Sequence, residues 1–216
     1  MTQANTPAAD YDQFCREVGK LILGFGNLEN TLSICLKWHL RDAMIILKPN
    51  HAASLSSAVY GSMRFKSSRD TIKRILKAER AGDQLAAFLA GAFVQMAHIE
   101  ELRDKIAHQA VIEPRESHSG QWEAWDVFTT RDPENDRVWS FSLDAVAMAA
   151  DDSHAFVERI STYLDVHREN VNSTLFGNLD VSPIAWRYKP STLKLLPRSK
   201  RRGPRSPKPQ PRSSRG

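Results

Sequence analysis

Residues 83–109, DQLAAFLAGAFVQMAHIEELRDKIAHQ, decide how this chain folds. Within them Leu85, Leu89, Ala92, Met96, Ile99, Arg103 and Ile106 recur in steps of four and three, the spacing that lines one face of a helix. Asp83, directly after Ala81-Gly82, is suited to cap a helix running from Gln84 to about Gln109. Arg103 occupies a seam position where an aliphatic residue is expected. His108 lies about 140° round the same helix, stacked over Asp104 one turn earlier. The His108 side also carries Ala86, Ala90, Phe93 and Ala97. A helix apolar on two faces belongs at the centre of a bundle or at an interface.

The same periodicity spreads outward. Between Tyr11 and Arg41, Phe14, Val18, Leu21, Phe25, Leu28, Leu32 and Cys35 form the seam of a long amphipathic helix. Gly24 and Gly26 read as points of close approach to neighbouring helices, since no strand precedes them to make a phosphate loop. Beside the seam runs a row of Ile22, Glu29 and Leu36, which Glu29 interrupts as Arg103 interrupts its own. An unpaired buried charge is costly, so Glu29 and Arg103 are expected to face each other across the bundle.

Ser67 or Ser68 can cap a second helix ending near Glu79, with Ile72, Ile75 and Leu76 inward. Glu113-Pro114 closes the third helix. Two aromatic and β-branched runs, Trp122–Thr130 and Val138–Phe141, flank the polar stretch Asp132–Asp136 and predict a hairpin. A last helix is expected from Leu143 to about Asn170, kinked at Asp151-Asp152, with Leu143, Val146, Ala150, Val157, Ile160 and Leu164 inward. The fold class is therefore mainly α: an up-down bundle of four to five helices with a small β-hairpin before the last long helix. Residues 1–10 are expected to be a flexible N-terminus, 11–175 the bundle with its hairpin at about 121–141, and 176–216 a basic, Pro-rich disordered tail.

Charge is unevenly divided. The chain of 216 residues carries +5 overall; residues 187–216 hold eleven Lys/Arg and no Asp/Glu, which leaves −6 on residues 1–186. Attraction to a polyanion would thus come from the tail, through Arg198, Lys200, Arg201, Arg202 and Arg205, and would read phosphates rather than bases. No segment has the uninterrupted apolar length of a membrane span, and the first fifteen residues lack the pattern of a secretory signal. Cys15 and Cys35 fall on one helix at about 30 Å by its rise, beyond disulfide reach. The expected compartment is a reducing cytoplasm.

Arg103, Asp104 and His108 are the candidate catalytic residues. Imidazole exchanges protons near neutral pH, and guanidinium offers a fixed fork of donors to a phosphate. The structural alternatives are a core cation paired with Glu29 and a cation placed at a helix C-terminus. His98 and Glu101 lack further ligands at zinc spacing, so no metal or cofactor is expected.

A helical bundle with Arg-Asp-x-x-x-His at the end of its third long helix resembles the HEPN superfamily. The resemblance covers residues 11–170 and extends to Phe25-Gly26-Asn27-Leu28-Glu29 in the first helix. It implies metal-independent RNA cleavage by a homodimer whose motif residues line one cleft. Such proteins serve as toxins or in phage defence, some beside an antitoxin or a nucleotidyltransferase partner. On this chain His108 would be general acid or base, Arg103 would hold the phosphate, and Asp104 would orient the imidazole. Some bundles of the superfamily are inactive, so the alternative is a silent bundle that binds RNA or a partner protein.

Overall fold

The computed structural model describes residues 7–44, 59, 63–112, 120–126, 137–167 and 174–196. Four long helices dominate: α1 (Pro7–Met44), α2 (Phe65–Ala78), α3 (Asp83–His108) and α4 (Leu143–His167). Strands β1 (Ala110–Ile112), β2 (Gln121–Trp125), β3 (Val138–Ser142) and β4 (Lys194–Leu195) form one antiparallel sheet in that order. The mainly helical class and the expected hairpin both stand. The hairpin is also the middle of a larger sheet, because residues on either side of it in sequence add an edge strand.

Helix α1 is the hub, packing on α2, α3 and α4. Its whole seam is turned inward: Phe14, Leu21, Phe25, Leu28, Leu32 and Cys35 are buried and Val18 is half-buried. Gly24 sits where α1 crosses α4, its missing Cβ facing Ser153 Cβ at 3.7 Å, whereas Gly26 has open space around it and marks no crossing. Cys15 is exposed and Cys35 buried, both as free thiols, and burial pushes the Cys35 thiol far above its ordinary range.

The core is threaded by edge-to-face aromatic contacts. Phe25, Phe65, Phe93, Phe156 and Trp186 follow one another with ring centroids 5.4, 6.2, 6.1 and 6.3 Å apart, one ring from each helix and the last from the C-terminal segment. Such pairs contribute about 0.5–1.5 kcal/mol each beyond the area they bury. The sheet is pinned to the start of α1 by Trp122, stacked on Phe14 at 3.7 Å. Ser142, ending β3, caps α4 by accepting the Ala145 N–H at 3.2 Å. Helix α4 runs through Asp151-Asp152, where the sequence suggests a kink, as one continuous helical element.

Three boundaries move. Helix α2 begins at Phe65, so Ser68 is a buried residue inside the helix and not its cap. Helix α1 already starts at Pro7. The packed body extends to residue 196, well past the expected 175. Leu175, Phe176, Leu179 and Tyr188 are all buried, and a 3₁₀ turn at Pro190–Thr192 leads into β4. Four side chains of α4 hold this segment. Asp151 pairs with the Arg187 guanidinium at 2.6 Å, and the Tyr163 hydroxyl accepts the Phe176 N–H at 2.9 Å. Buried Asp152 accepts the backbone N–H groups of Arg187 (2.9 Å) and Tyr188 (2.9 Å) and the Gln95 amide (3.0 Å). Arg159 donates to the carbonyls of Asp180 (2.8 Å) and Ser182 (3.1 Å).

By length and composition alone α3 is long and apolar enough to cross a membrane, although Gln95, His98 and Glu100 interrupt its apolar run as the sequence reading has it. Its buried stripe of Leu89, Ala92, Phe93, Met96, Ile99, Leu102 and Ile106 packs into the bundle core, and 33% of the apolar window is buried.

Candidate active site

The motif lies where α3 gives way to the sheet. Lys105 and His108 occupy the last turn, where the helix dipole favours cations. Gln109 is extended (φ −122°, ψ 159°), and β1 follows at once. The Lys105 ammonium lies 4.7 Å from the centroid of the Trp139 ring on β3, tying the end of α3 to the sheet.

Arg103 reaches from the seam toward α1. Its guanidinium carbon stands 4.8 Å from the centroid of Phe25, and its Nη1 is 3.0 Å from Asp104 Oδ1. The side chain is 14% exposed, and among the described residues its buried Nε–H has no hydrogen-bond partner. An unpartnered buried guanidinium donor is costly.

Glu29 does not bridge to Arg103: among the described residues no ion pair joins them. Its carboxylate accepts the Phe65 backbone N–H at 3.0 Å and so satisfies the start of α2, where no acidic side chain stands in the first turn. The two disruptions of the seam do meet at one corner of the bundle. Phe25, under Arg103, lies one turn before Glu29 and packs edge-on to Phe65, beside which Arg69 sits at 5.9 Å. Glu100 feels this corner: burial first, then the Asp104 carboxylate, hold its carboxyl above the ordinary range, with Glu29 adding to the rise and Arg103 and Arg69 opposing it.

His108 is exposed and makes no hydrogen bond or ion pair to a described residue. Asp104 is 48% exposed and spends its carboxylate on Arg103, so in the single chain it does not orient the imidazole as expected. One chain therefore brings Arg103 and Asp104 together and leaves His108 on a different side of α3. The outer face of α3 carries exposed Ala86, Ala87, Ala90, Gly91 and Val94, the last at 57%. The expected tail residues Arg198, Lys200, Arg201, Arg202 and Arg205 lie outside the described residues.

Sequence reasoning missed Glu100, the Lys105–Trp139 contact and Asp152. Asp152 had a usable signal, since it falls on the inward face of α4 beside Ala149, Ser153 and Phe156. Among the described residues no group of three or more His, Cys, Asp or Glu is placed to hold a metal ion. Two clefts flank the segment that crosses α3 and α4. One of about 630 Å³ is lined by Phe88, Gly91, Ile184 and Trp186, the other, of about 480 Å³, by Glu158, Arg159, Tyr163 and Asp180. Neither includes the motif. No family model, no curated protein and no solved structure matches this chain.

Proposed function

We propose that this protein is a HEPN-type endoribonuclease acting as a cytoplasmic homodimer, in the role of a toxin or phage-defence component. An antitoxin or a nucleotidyltransferase is the corresponding partner. The observation that carries this reading is the end of α3, where a guanidinium with an unpartnered donor is held by Asp104 and Phe25, and a solvent-reachable imidazole follows within two turns. A second copy packed along the exposed small-residue face of α3 would bring a second His108 toward the first.

In the proposed reaction one imidazole takes the proton of a ribose 2′-hydroxyl. The freed oxygen attacks phosphorus, and the 5′-oxygen leaves with a proton from a protonated imidazole. Arg103 neutralises charge gathering on the phosphoryl oxygens. The products are a 2′,3′-cyclic phosphate and a 5′-hydroxyl. Asp104 fixes the fork of Arg103, a role assigned from its observed contact in place of the orienting role expected from sequence.

The second reading, a silent bundle that binds RNA or a partner protein, is favoured by the charge of Arg103 being met within its own helix. Incubation of purified protein with single-stranded RNA and excess EDTA separates them. Cyclic-phosphate ends, reduced on the order of 100-fold or more in a folded His108→Ala variant, support the nuclease. Intact RNA with the wild-type chain rejects it and leaves the silent bundle.

A further inference from the structure

The charge of −6 on residues 1–186 hides a region of opposite sign inside the fold. Arg64 to Arg80, which is α2 with its flanks, carries seven Lys/Arg against Asp70 and Glu79, a net +5, so the rest of residues 1–186 carries −11. Phe65, Ser68, Ile72 and Leu76 turn into the bundle, while Lys66, Lys73, Arg74, Lys77 and Arg80 are exposed. At about 100° per residue Lys66, Lys73 and Lys77 fall within about 40° of one another, in a row about 16 Å long by the helical rise. Arg80 follows just past the helix end.

The two acids of this stretch are occupied elsewhere. Asp70, which falls between Lys66 and Lys73, is met by Arg69 at 3.0 Å. Glu79 turns to His39 at 3.1 Å and accepts the Leu175 N–H at 3.0 Å. Among the described residues no carboxylate pairs with Lys66, Lys73, Lys77 or Arg80. The arrangement is costly to the helix itself. Lys73 and Lys77 are like charges one turn apart, and Lys66 stands in the first turn, at the positive end of the helix dipole, where no acidic residue balances it. A bound polyanion relieves both.

The row also ends at the motif corner. Lys66 follows Phe65, whose ring is edge-on to Phe25 at 5.4 Å, and Phe25 lies 4.8 Å from the Arg103 guanidinium. We propose that the exposed face of α2, through Lys66, Lys73, Lys77 and Arg80, holds the phosphate backbone of single-stranded RNA and leads it to Arg103. That the polyanion is RNA rests on the ribonuclease reading; the track rests on the row of uncompensated cations. Such a row grips phosphates without reading bases. A lipid surface is the poorer match, because the apolar side chains with which a basic helix enters a membrane, here Phe65, Ile72 and Leu76, are buried in the core.

The test measures binding of a fluorescent 2′-O-methyl oligoribonucleotide, which has no 2′-hydroxyl to attack its own backbone, to three full-length proteins. These are the wild type, a track variant (Lys66→Gln, Lys73→Gln, Lys77→Gln, Arg80→Gln) and a control of equal net charge (Arg16→Gln, Lys20→Gln, Lys189→Gln, Lys194→Gln). All eight positions are exposed, glutamine keeps helix propensity, and circular dichroism checks that each variant folds. Each phosphate contact on a single strand adds about 0.7 to the slope of log Kd against log salt. The track variant should therefore lose up to roughly 3 of that slope and bind at least about 10-fold more weakly at about 0.1 M salt, with the control near wild type.

With photoreactive 4-thiouridine in the oligonucleotide, wild-type crosslinks are expected on α2 and on the peptide spanning Glu100 to Asp104. An equal loss in both variants would mean that net charge alone draws the RNA and would overturn the track, as would unchanged affinity in the track variant. Crosslinks on α2 with none near Arg103 would overturn the path. Wild-type binding to phosphatidylserine vesicles but not to the oligonucleotide would overturn RNA as the partner. Loss confined to the track variant, with natural RNA left uncut by the wild type, would support the track and remove the ribonuclease reading alone.

Discussion

Replacing Asp152 with alanine is expected to loosen the stretch around Arg187 and Tyr188, and the edge strand that follows it, from the bundle. Its carboxylate is 2% exposed and accepts three donors: the backbone N–H groups of Arg187 and Tyr188, each at 2.9 Å, and the Gln95 amide at 3.0 Å. Hydrogen bonds to a charged group contribute about 1.5–3 kcal/mol each, and a buried donor left unmet costs a similar amount. Arg187 is an exposed residue, so water can rescue its N–H; Tyr188 is buried and its N–H cannot be so rescued. The net loss is then about 3–5 kcal/mol. For a body of this size each kcal/mol moves Tm by about 2–4 °C, which predicts a fall of roughly 6–20 °C in thermal unfolding followed by circular dichroism. Hydrogen exchange localises the effect. The amides of Arg187 and Tyr188 should lose protection first, followed by those of residues 194–196, while α1 keeps its own. A Tm within about 2 °C of wild type, or continued protection at Tyr188, would refute the anchoring role.

Three further outcomes follow from the motif corner. Arg103→Ala should lower stability by about 1–3 kcal/mol in urea unfolding, because it removes the cover on Phe25; an unchanged midpoint would mean that the guanidinium is not packed. Glu29→Ala should cost about 1 kcal/mol through the freed Phe65 N–H. A urea midpoint unchanged by this substitution would mean that the carboxylate does not hold the start of α2. Glu100 binds its proton more tightly folded than unfolded, so its contribution is complete below the unfolded glutamate range and is lost as pH rises through the raised folded value. Glu100→Gln should therefore raise Tm at about pH 7, with the gain shrinking toward about pH 4; a lower Tm at neutral pH would contradict this.

What could be read from the chain follows from the range of each interaction. The seam of α1 was legible residue by residue because periodicity reports burial directly, and the same holds for most of α3. Phe93, assigned to the second face of α3, turned out to belong to the core, since the buried stripe is wider than one seam. Glu29 was correctly marked as a residue in need of a partner, but that partner is a main-chain N–H, which pairing by residue type cannot reveal. The segment 174–196 was hidden by its neighbours. Its few buried groups, Leu175, Phe176, Leu179 and Tyr188, are averaged away by the basic, Pro-rich stretch that follows. The pair Asp151-Asp152 reads as a kink because local pattern cannot show the backbone N–H partners of Asp152, which lie 35 and 36 residues further on. The separation of His108 from Arg103 round α3 was legible from helical spacing; what spacing along one helix could not reveal is whether a second chain closes the site, as proposed.

That closure can be measured without activity. In a Cys15→Ser background Cys35 stays buried, so His108→Cys provides a single accessible thiol at the end of α3. Treatment with a short bis-maleimide should convert most of the protein to a covalent dimer linked through position 108, while a cysteine placed at Asp12 should not link. A chain that sediments as a monomer, or a dimer that resists linkage at position 108, would contradict a shared cleft.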